Sequence, residues 1–356
     1  TPPSVARFMA TMLKPKTATV RLLDPGAGVG SLAAAAIDEL LGSQRPPRAI
    51  ELTVCEVDPA LREYLRQSLD ACRSACREKR VSFEFELVAR DFIAAATEWL
   101  PKAGLFPTER SRVFDCAILN PPYRKINSDS EARRLLREVG IETTNLYSAF
   151  LWLTLKLLSP TGEMVAITPR SFCNGPYFRL FRDDLLSAAS LSHIHVFGSR
   201  KTAFSEDGVL QENIIFRATR PATEGPTLIS TSQGPDDPDI VTRKVSRDQL
   251  VGGDSVIHVV PDELQGQVSE RIREFTATLR NLDIEVSTGR VVDFRAKEYL
   301  AYDEGDRRKH YAPLIYPMHF AQGRIMWPRE GKKPNRLRIA GETKSLLVPP
   351  GVYVLV

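Results

Sequence analysis

The stretch VRLLDPGAGVGSLAAAAIDELL, residues 20–41, decides the fold class. Its first five residues are mostly aliphatic and end on an acid, which reads as a buried strand. A Pro-Gly turn follows, and after the third glycine comes an alanine- and leucine-rich run that reads as a helix. Gly26, Gly28 and Gly30 let the backbone between them turn tightly and approach a ligand closely. No Gly-Lys-Ser/Thr follows, which excludes the Walker A phosphate loop. The spacing G-x-G-x-G is close to the dinucleotide pattern G-x-G-x-x-G without matching it, and Asp24 opens the loop.

Working outward, short apolar runs keep alternating with helical stretches. ELTVCE (51–56), SFEFELV (82–88), FDCAILN (114–120), GEMVAIT (162–168), LSHIHVF (191–197) and ENIIFRA (212–218) read as further strands. Helices are predicted at about 59–77, 145–158 and 176–188. This alternation predicts an α/β fold with a mostly parallel sheet and helices on both faces. Residues 221–239 are dominated by Pro, Gly, Ser and Thr and read as a linker or surface loop. A helix at about 262–281 and then short strands and turns complete the chain. The expected organisation is a first domain at 1–222, a connecting segment at 223–261 and a second domain at 262–356.

With 356 residues, 43% of them hydrophobic and 26% charged, the chain has the length of two globular domains. No apolar run approaches the roughly 20 residues needed to cross a bilayer, and TPPSVARFMA lacks the basic start and apolar core of a secretory signal. The missing initiator Met and the strand-like end GVYVLV are those of a piece of a longer polypeptide. Five cysteines, none in a C-x-x-C pair, fit a reduced, cytoplasmic protein with core thiols and no structural metal. The net charge of +4 is unevenly spread: residues 285–356 hold 13 Lys/Arg against 8 Asp/Glu, and the rest 35 against 36. Such a basic tail suits a polyanionic partner, although a solvated surface is the default reading of a charge cluster.

Acidic residues recur at the strand ends. Glu56 in CEVDP (55–59) could accept two ribose hydroxyls, leaving Asp58 to cap the helix that begins at Pro59. Asp91 in ARDF (89–92) could accept from an adenine amino group, with Phe92 on the adenine face. Alone, each reads more readily as a cap or a core residue than as a ligand contact; together, the three acids at successive strand ends point to a nucleoside ligand. After the fourth strand comes NPPY (120–123). Proline cannot donate to a sheet ladder and pushes the residue before it into an extended conformation, so Pro121 and Pro122 end the strand on a stiff rim.

These residues resemble the class I S-adenosylmethionine-dependent DNA amino-methyltransferases, above all the adenine-modifying enzymes of type II restriction–modification systems, TaqI-like and larger. The resemblance implies a Rossmann-like domain with a seven-stranded, mostly parallel sheet and a partial C-terminal target recognition domain, in the order called gamma. TPPSVARFM (1–9) resembles the segment that holds the methionine part of the cofactor, through Thr1 and Pro2, although the residues that ordinarily precede this threonine are absent. DPGAGVGSL resembles the cofactor loop, with Asp24, Gly26, Ala27 and Gly28; CEVDP the ribose site, with Glu56 and Val57; ARDF the adenine contact, with Asp91 and Phe92. NPPY is the family's catalytic motif, in which Asn120 also borders the cofactor, and Phe150 in NLYSAF (145–150) is implied to touch the cofactor. TGRVVDFRAKEYL (288–300) and YPMHFAQGRIMWP (316–328) resemble elements of the recognition domain.

On this resemblance the substrate is double-stranded DNA and the product an N6-methylated adenine. An exocyclic amine is a poor nucleophile because its lone pair is delocalised. The Asn120 oxygen and the Pro121 carbonyl could accept its two hydrogens and localise that pair, held still by Pro121 and Pro122. The base must leave the duplex, with Tyr123 on one face and, by the resemblance, Phe204 on the other. Arg324, Arg329, Lys332, Lys333, Arg336 and Arg338 are the candidate DNA contacts. NPPY chemistry also serves N4-cytosine, RNA-base and protein-glutamine methyltransferases, and an inactive specificity module is a further alternative. A monomer with no metal, working beside a cognate or fused nuclease, completes the expectation.

Overall fold

The computed structural model describes residues 1–100, 111–198, 213–260, 262–302 and 309–355. Two compact units emerge, Thr1–Ile272 and Arg273–Val356.

The first unit is built on nine strands: β1 (Thr19–Asp24), β2 (Ala49–Cys55), β3 (Ser82–Val88), β4 (Phe114–Leu119), β5 (Leu158–Pro169), β6 (Ser190–Phe197), β7 (Asn213–Thr219), β8 (Thr227–Ser232) and β9 (Val241–Val245). They lie in the order β3-β2-β1-β4-β5-β7-β6-β8-β9. The first five in this order run parallel, β7 is antiparallel to both β5 and β6, β8 is parallel to β6, and β9 closes the edge antiparallel to β8. The seven expected strands are all present, in a mostly parallel sheet that β8 and β9 extend. Central strands read as unbroken apolar runs because both faces are covered. In β4, Cys116 and Ile118 face one core cluster while Ala117 and Leu119 face the other.

Seven helices supply those covers: α1 (Pro3–Thr11), α2 (Ser31–Gly42), α3 (Pro59–Glu78), α4 (Phe92–Trp99), α5 (Glu131–Glu138), α6 (Leu146–Leu157) and α7 (Arg179–Ala188). Val5 and Met9 of α1, Ile37 of α2 and Leu65, Leu69, Cys72 and Cys76 of α3 share one core. Residues of α4 to α7, among them Trp99, Leu136, Trp152 and Phe181, share the other. All five cysteines are buried free thiols. The chain after α1 is tied to β5 by Glu163, whose carboxylate accepts from the Lys14 amide and from the Arg217 guanidinium.

Two expectations change. The connecting segment 223–261 carries β8 and β9, which extend the sheet. The Pro- and Gly-rich residues mark only the turns around them, while TLISTS (227–232), with Thr227, Ile229, Ser230 and Ser232 buried, pairs with β6 and β9. The predicted helix at 262–281 is an α-helix only over Glu263–Arg273, followed by a 3-10 turn at Leu279–Leu282. Thr278 accepts from the Asn281 amide and so starts that turn afresh rather than continuing the helix.

The second unit contains a three-stranded sheet of β10 (Leu300–Ala301), β14 (Arg336–Arg338) and β11 (Tyr311–Pro313), and a hairpin of β12 (Phe320–Ala321) and β13 (Arg324–Ile325). A buried polar hub holds it. Asn335 accepts from His319 Nε2 and from the Arg329 amide, and donates to the carbonyls of Tyr302 and Arg329.

Candidate active site

β1 and β4 are parallel neighbours, so the glycine loop after β1 and the Asn-Pro-Pro-Tyr rim after β4 emerge at the same edge of the sheet. Gly28 and Gly30 have φ of +57° and +89°, in the left-handed region that favours glycine. A Cβ on Gly30 would sit 2.9 Å from Leu65 Cδ1, whereas one on Gly28 would meet nothing within 4 Å. The first glycine therefore packs the loop against α3, and the second leaves open space beside its own backbone.

Glu56, just past β2, reaches back to this loop. Its Oε2 accepts from the Gly28 amide at 2.8 Å and its Oε1 from the Asp58 amide at 2.8 Å. Each oxygen keeps a further lone pair for a ligand hydroxyl. Asp58 caps α3 by accepting from Ala60, as expected. Asp91 caps α4 by accepting from the Ala94 amide at 3.2 Å through one oxygen. Phe92 is 2% exposed and Phe150 6%, and their rings pack on each other with centroids 4.9 Å apart. Little of either ring is open to a ligand, because α4 and α6 pack together here; the exposed apolar side chains near the loop are Val29 and Val57.

Asp24, the last residue of β1, is fully buried, and neither carboxylate oxygen has a hydrogen-bond partner. Burial pushes its carboxyl up to about 7; the nearby Gly26 and Ala33 amides favour the anion without reaching hydrogen-bond geometry, and Glu56 opposes it. An orphaned buried carboxylate is a costly feature unless something cationic or hydrogen-bonding meets it.

At the Asn-Pro-Pro-Tyr rim, the Asn120 side chain is held at both ends. Its Nδ2 donates to Thr1 Oγ1 at 3.1 Å, and its Oδ1 accepts from the Tyr123 hydroxyl at 3.0 Å. The Ile167 carbonyl, 3.2 Å from the same phenol oxygen, shares that one hydrogen. Burial raises the Tyr123 phenol well above its ordinary value, so it stays protonated and a donor. Pro121 is buried and Pro122 half-buried. Thr1 is thus brought against Asn120, while the Pro2 carbonyl accepts from the Ala6 amide at the start of α1.

Tyr147 was not singled out by its pattern, yet it backs the motif. It is buried, its ring stands edge-on to the Tyr123 ring at 6.2 Å, and its hydroxyl bonds Ser171 Oγ at 3.0 Å. The only hint in the sequence is an aromatic residue within NLYSAF. Phe204 lies outside the described residues.

Of the basic cluster in the second unit, four members have partners within it. Lys333 pairs with Asp293 at 2.6 Å, Arg329 donates to the Met318 carbonyl, and Arg336 and Arg338 lie over the Trp327 and Tyr299 rings at 4.8 and 4.7 Å. Aromatic and acidic neighbours brought in by the fold engage these cations. Arg324 and Lys332 are exposed, with no ion-pair partner among the described residues.

The Eco57I restriction-modification methylase family matches residues 62–204. Over 357 residues, 99% of this chain and 68% of the relative, the chain is 40% identical to type II methyltransferase M.PstI of Providencia stuartii. It is 39% identical over 361 residues to type II methyltransferase M.BsuBI of Bacillus subtilis, covering the whole chain and 70% of that relative. A modification subunit of a putative type I restriction enzyme from Vibrio vulnificus YJ016 shares the fold, with a TM-score of 0.55 and 13% identity over 76% of this chain and 60% of that one.

Proposed function

This chain belongs to the type II DNA methyltransferases of restriction–modification systems, and on that premise we propose that it methylates the N6 amine of an adenine turned out of double-stranded DNA, with S-adenosylmethionine as donor. The observation that carries this reading is the pairing of the glycine loop and the Asn120 rim at neighbouring strand ends.

The residues present fit the cofactor. S-adenosylmethionine is a cation at sulfur and at its amino group, and Asp24 is a buried carboxylate without a partner. Gly28 leaves room beside the loop, and Glu56 keeps acceptor capacity for ribose hydroxyls. When bound, the cofactor supplies a methyl group activated by the sulfonium.

The chain's own part is to make the amine a nucleophile. Asn120 Oδ1 and the Pro121 carbonyl accept its two hydrogens, drawing nitrogen toward a tetrahedral shape with the lone pair aimed outward. Thr1, by accepting from the Asn120 amide nitrogen, keeps Oδ1 turned toward the substrate. Because these acceptors are fixed beforehand, little reorganisation is needed in the transition state. Tyr123 offers its ring to the extruded base, and Tyr147 braces it.

Incubating DNA with labelled cofactor and mapping the modified bases tests this reading. Label on adenine N6 supports it. Label on cytosine N4, whose amine presents the same two hydrogens, would change the base, and no label on any DNA would sink the proposal. Among the described residues no helix is long and apolar enough to cross a membrane.

A further inference from the structure

The two residues after the catalytic tyrosine, Arg124 and Lys125, are both exposed cations. We propose that they form a clamp for the DNA phosphodiesters beside the extruded nucleotide; this rests on the reading above and adds a binding site to it.

Three observations carry the inference. First, the backbone that bears them is held on both sides. The Arg124 carbonyl accepts from the Leu146 amide at 2.8 Å, the Ile126 amide donates to the Thr144 carbonyl at 2.8 Å, and Lys125 faces Asn145 in an antiparallel bridge. Ile126 is buried on one side, and the Tyr123 hydroxyl is anchored on the other.

Second, the side chains themselves are uncommitted. The other cations of this segment are engaged. Arg133 meets Glu142 and the Thr143 carbonyl, Arg134 pairs with Glu138 at 2.6 Å and Glu131 at 3.7 Å, and Arg137 pairs with Glu142 at 3.1 Å. Neither Arg124 nor Lys125 has an ion-pair or side-chain hydrogen-bond partner among the described residues. A held backbone carrying free charges is what a polyanion needs, since the backbone loses no freedom on binding.

Third, position relative to the chemistry is set by the chain. An extended residue advances about 3.3 Å, so the two charges start one and two short steps from the ring that receives the base. Extruding a base costs unstacking and rotates the backbone around it. Cations at this place hold the phosphates of the rotated nucleotide and so favour the open form over the paired one.

The test uses a duplex containing the mapped target adenine and measures affinity across a salt series for the parent, Arg124→Ala/Lys125→Ala and Arg124→Lys/Lys125→Arg. Two lost phosphate contacts flatten the plot of log affinity against log salt by about 1.8, roughly 0.9 per phosphate. The charge-preserving swap keeps the parent slope, and cofactor affinity is unchanged in all three. Neutral methylphosphonate linkages flanking the target adenine weaken the parent but not the double alanine variant, as expected for a shared contact. An unchanged slope in that variant, or equal weakening of both proteins by the neutral linkages, overturns the clamp while leaving the methylation reading intact. A parent that neither binds nor methylates any DNA overturns both.

Discussion

The Tyr123 hydroxyl donates to Asn120 Oδ1 at 3.0 Å, the same oxygen that the mechanism assigns to the target amine. In this state the phenol fills the place of a substrate hydrogen, and base entry exchanges one donor for another. Tyr123→Phe removes that competition and keeps the ring, while Thr1 still orients the amide. Turnover within a few-fold of the parent and an equal or lower KM for DNA are expected. Tyr123→Ala, which also removes the stacking face, is expected to cost about 1–3 kcal/mol in DNA affinity. A hundredfold loss of turnover in Tyr123→Phe would give the hydroxyl a direct part in the reaction.

Asn120→Ala should abolish methyl transfer and leave cofactor affinity largely intact, because the proposed mechanism has its oxygen act on the amine in the transition state. Single-turnover assays and calorimetry on the same folded variant separate the two effects. Near-normal transfer would remove Asn120 from the mechanism.

Glu56 already serves the loop, since its two oxygens accept from Gly28 and Asp58, and the proposal adds ribose hydroxyls to those partners. Glu56→Ala is expected to weaken S-adenosylmethionine binding by roughly 1.5–3 kcal/mol, the range for losing a charged acceptor. Calorimetry giving an unchanged Kd would exclude the ribose role.

The buried Asp24 carboxyl, raised to about 7, is expected to make cofactor binding depend on pH. A cationic ligand favours the anion, so below pH 7 binding must first remove a proton, and above it the carboxylate is ready. Affinity is therefore expected to fall as pH drops below about 7, toward tenfold per unit, with proton release measurable in buffers of different ionisation enthalpy. Asp24→Asn should flatten the profile; a profile unaltered by that change would place the titrating group elsewhere.

Gly30→Ala is expected to destabilise the first unit by more than about 1 kcal/mol, because φ is +89° and the new Cβ would press on Leu65 and Ser68. Gly42→Ala, with nothing within 4 Å of the added atom, serves as the neutral comparison. Equal urea midpoints for the two variants would contradict the close approach of loop and helix.

Much of this molecule was legible from local chemistry. Apolar runs punctuated by glycine and proline defined the first seven strands, and the acid after β2 and the Asn-Pro-Pro-Tyr rim lie where a strand end would put them. A residue's own neighbours decide such features, so they can be read along the chain. What the chain order could not supply was partnership. Thr1 meets Asn120 across 119 positions, Tyr147 backs Tyr123, and β8 joins the sheet by pairing with β6, whose free edge exists only in the folded molecule, and carries β9 on its other side. The same holds for charge: Lys333 and Arg336 are indistinguishable from Arg324 and Lys332 in sequence, but Asp293 and Trp327 engage the first two and leave the others to solvent. The sequence determined which elements form and which chemistry they carry; tertiary packing decided which side chains are spent on one another and which remain for a ligand, because that choice depends on distances between residues far apart in the chain.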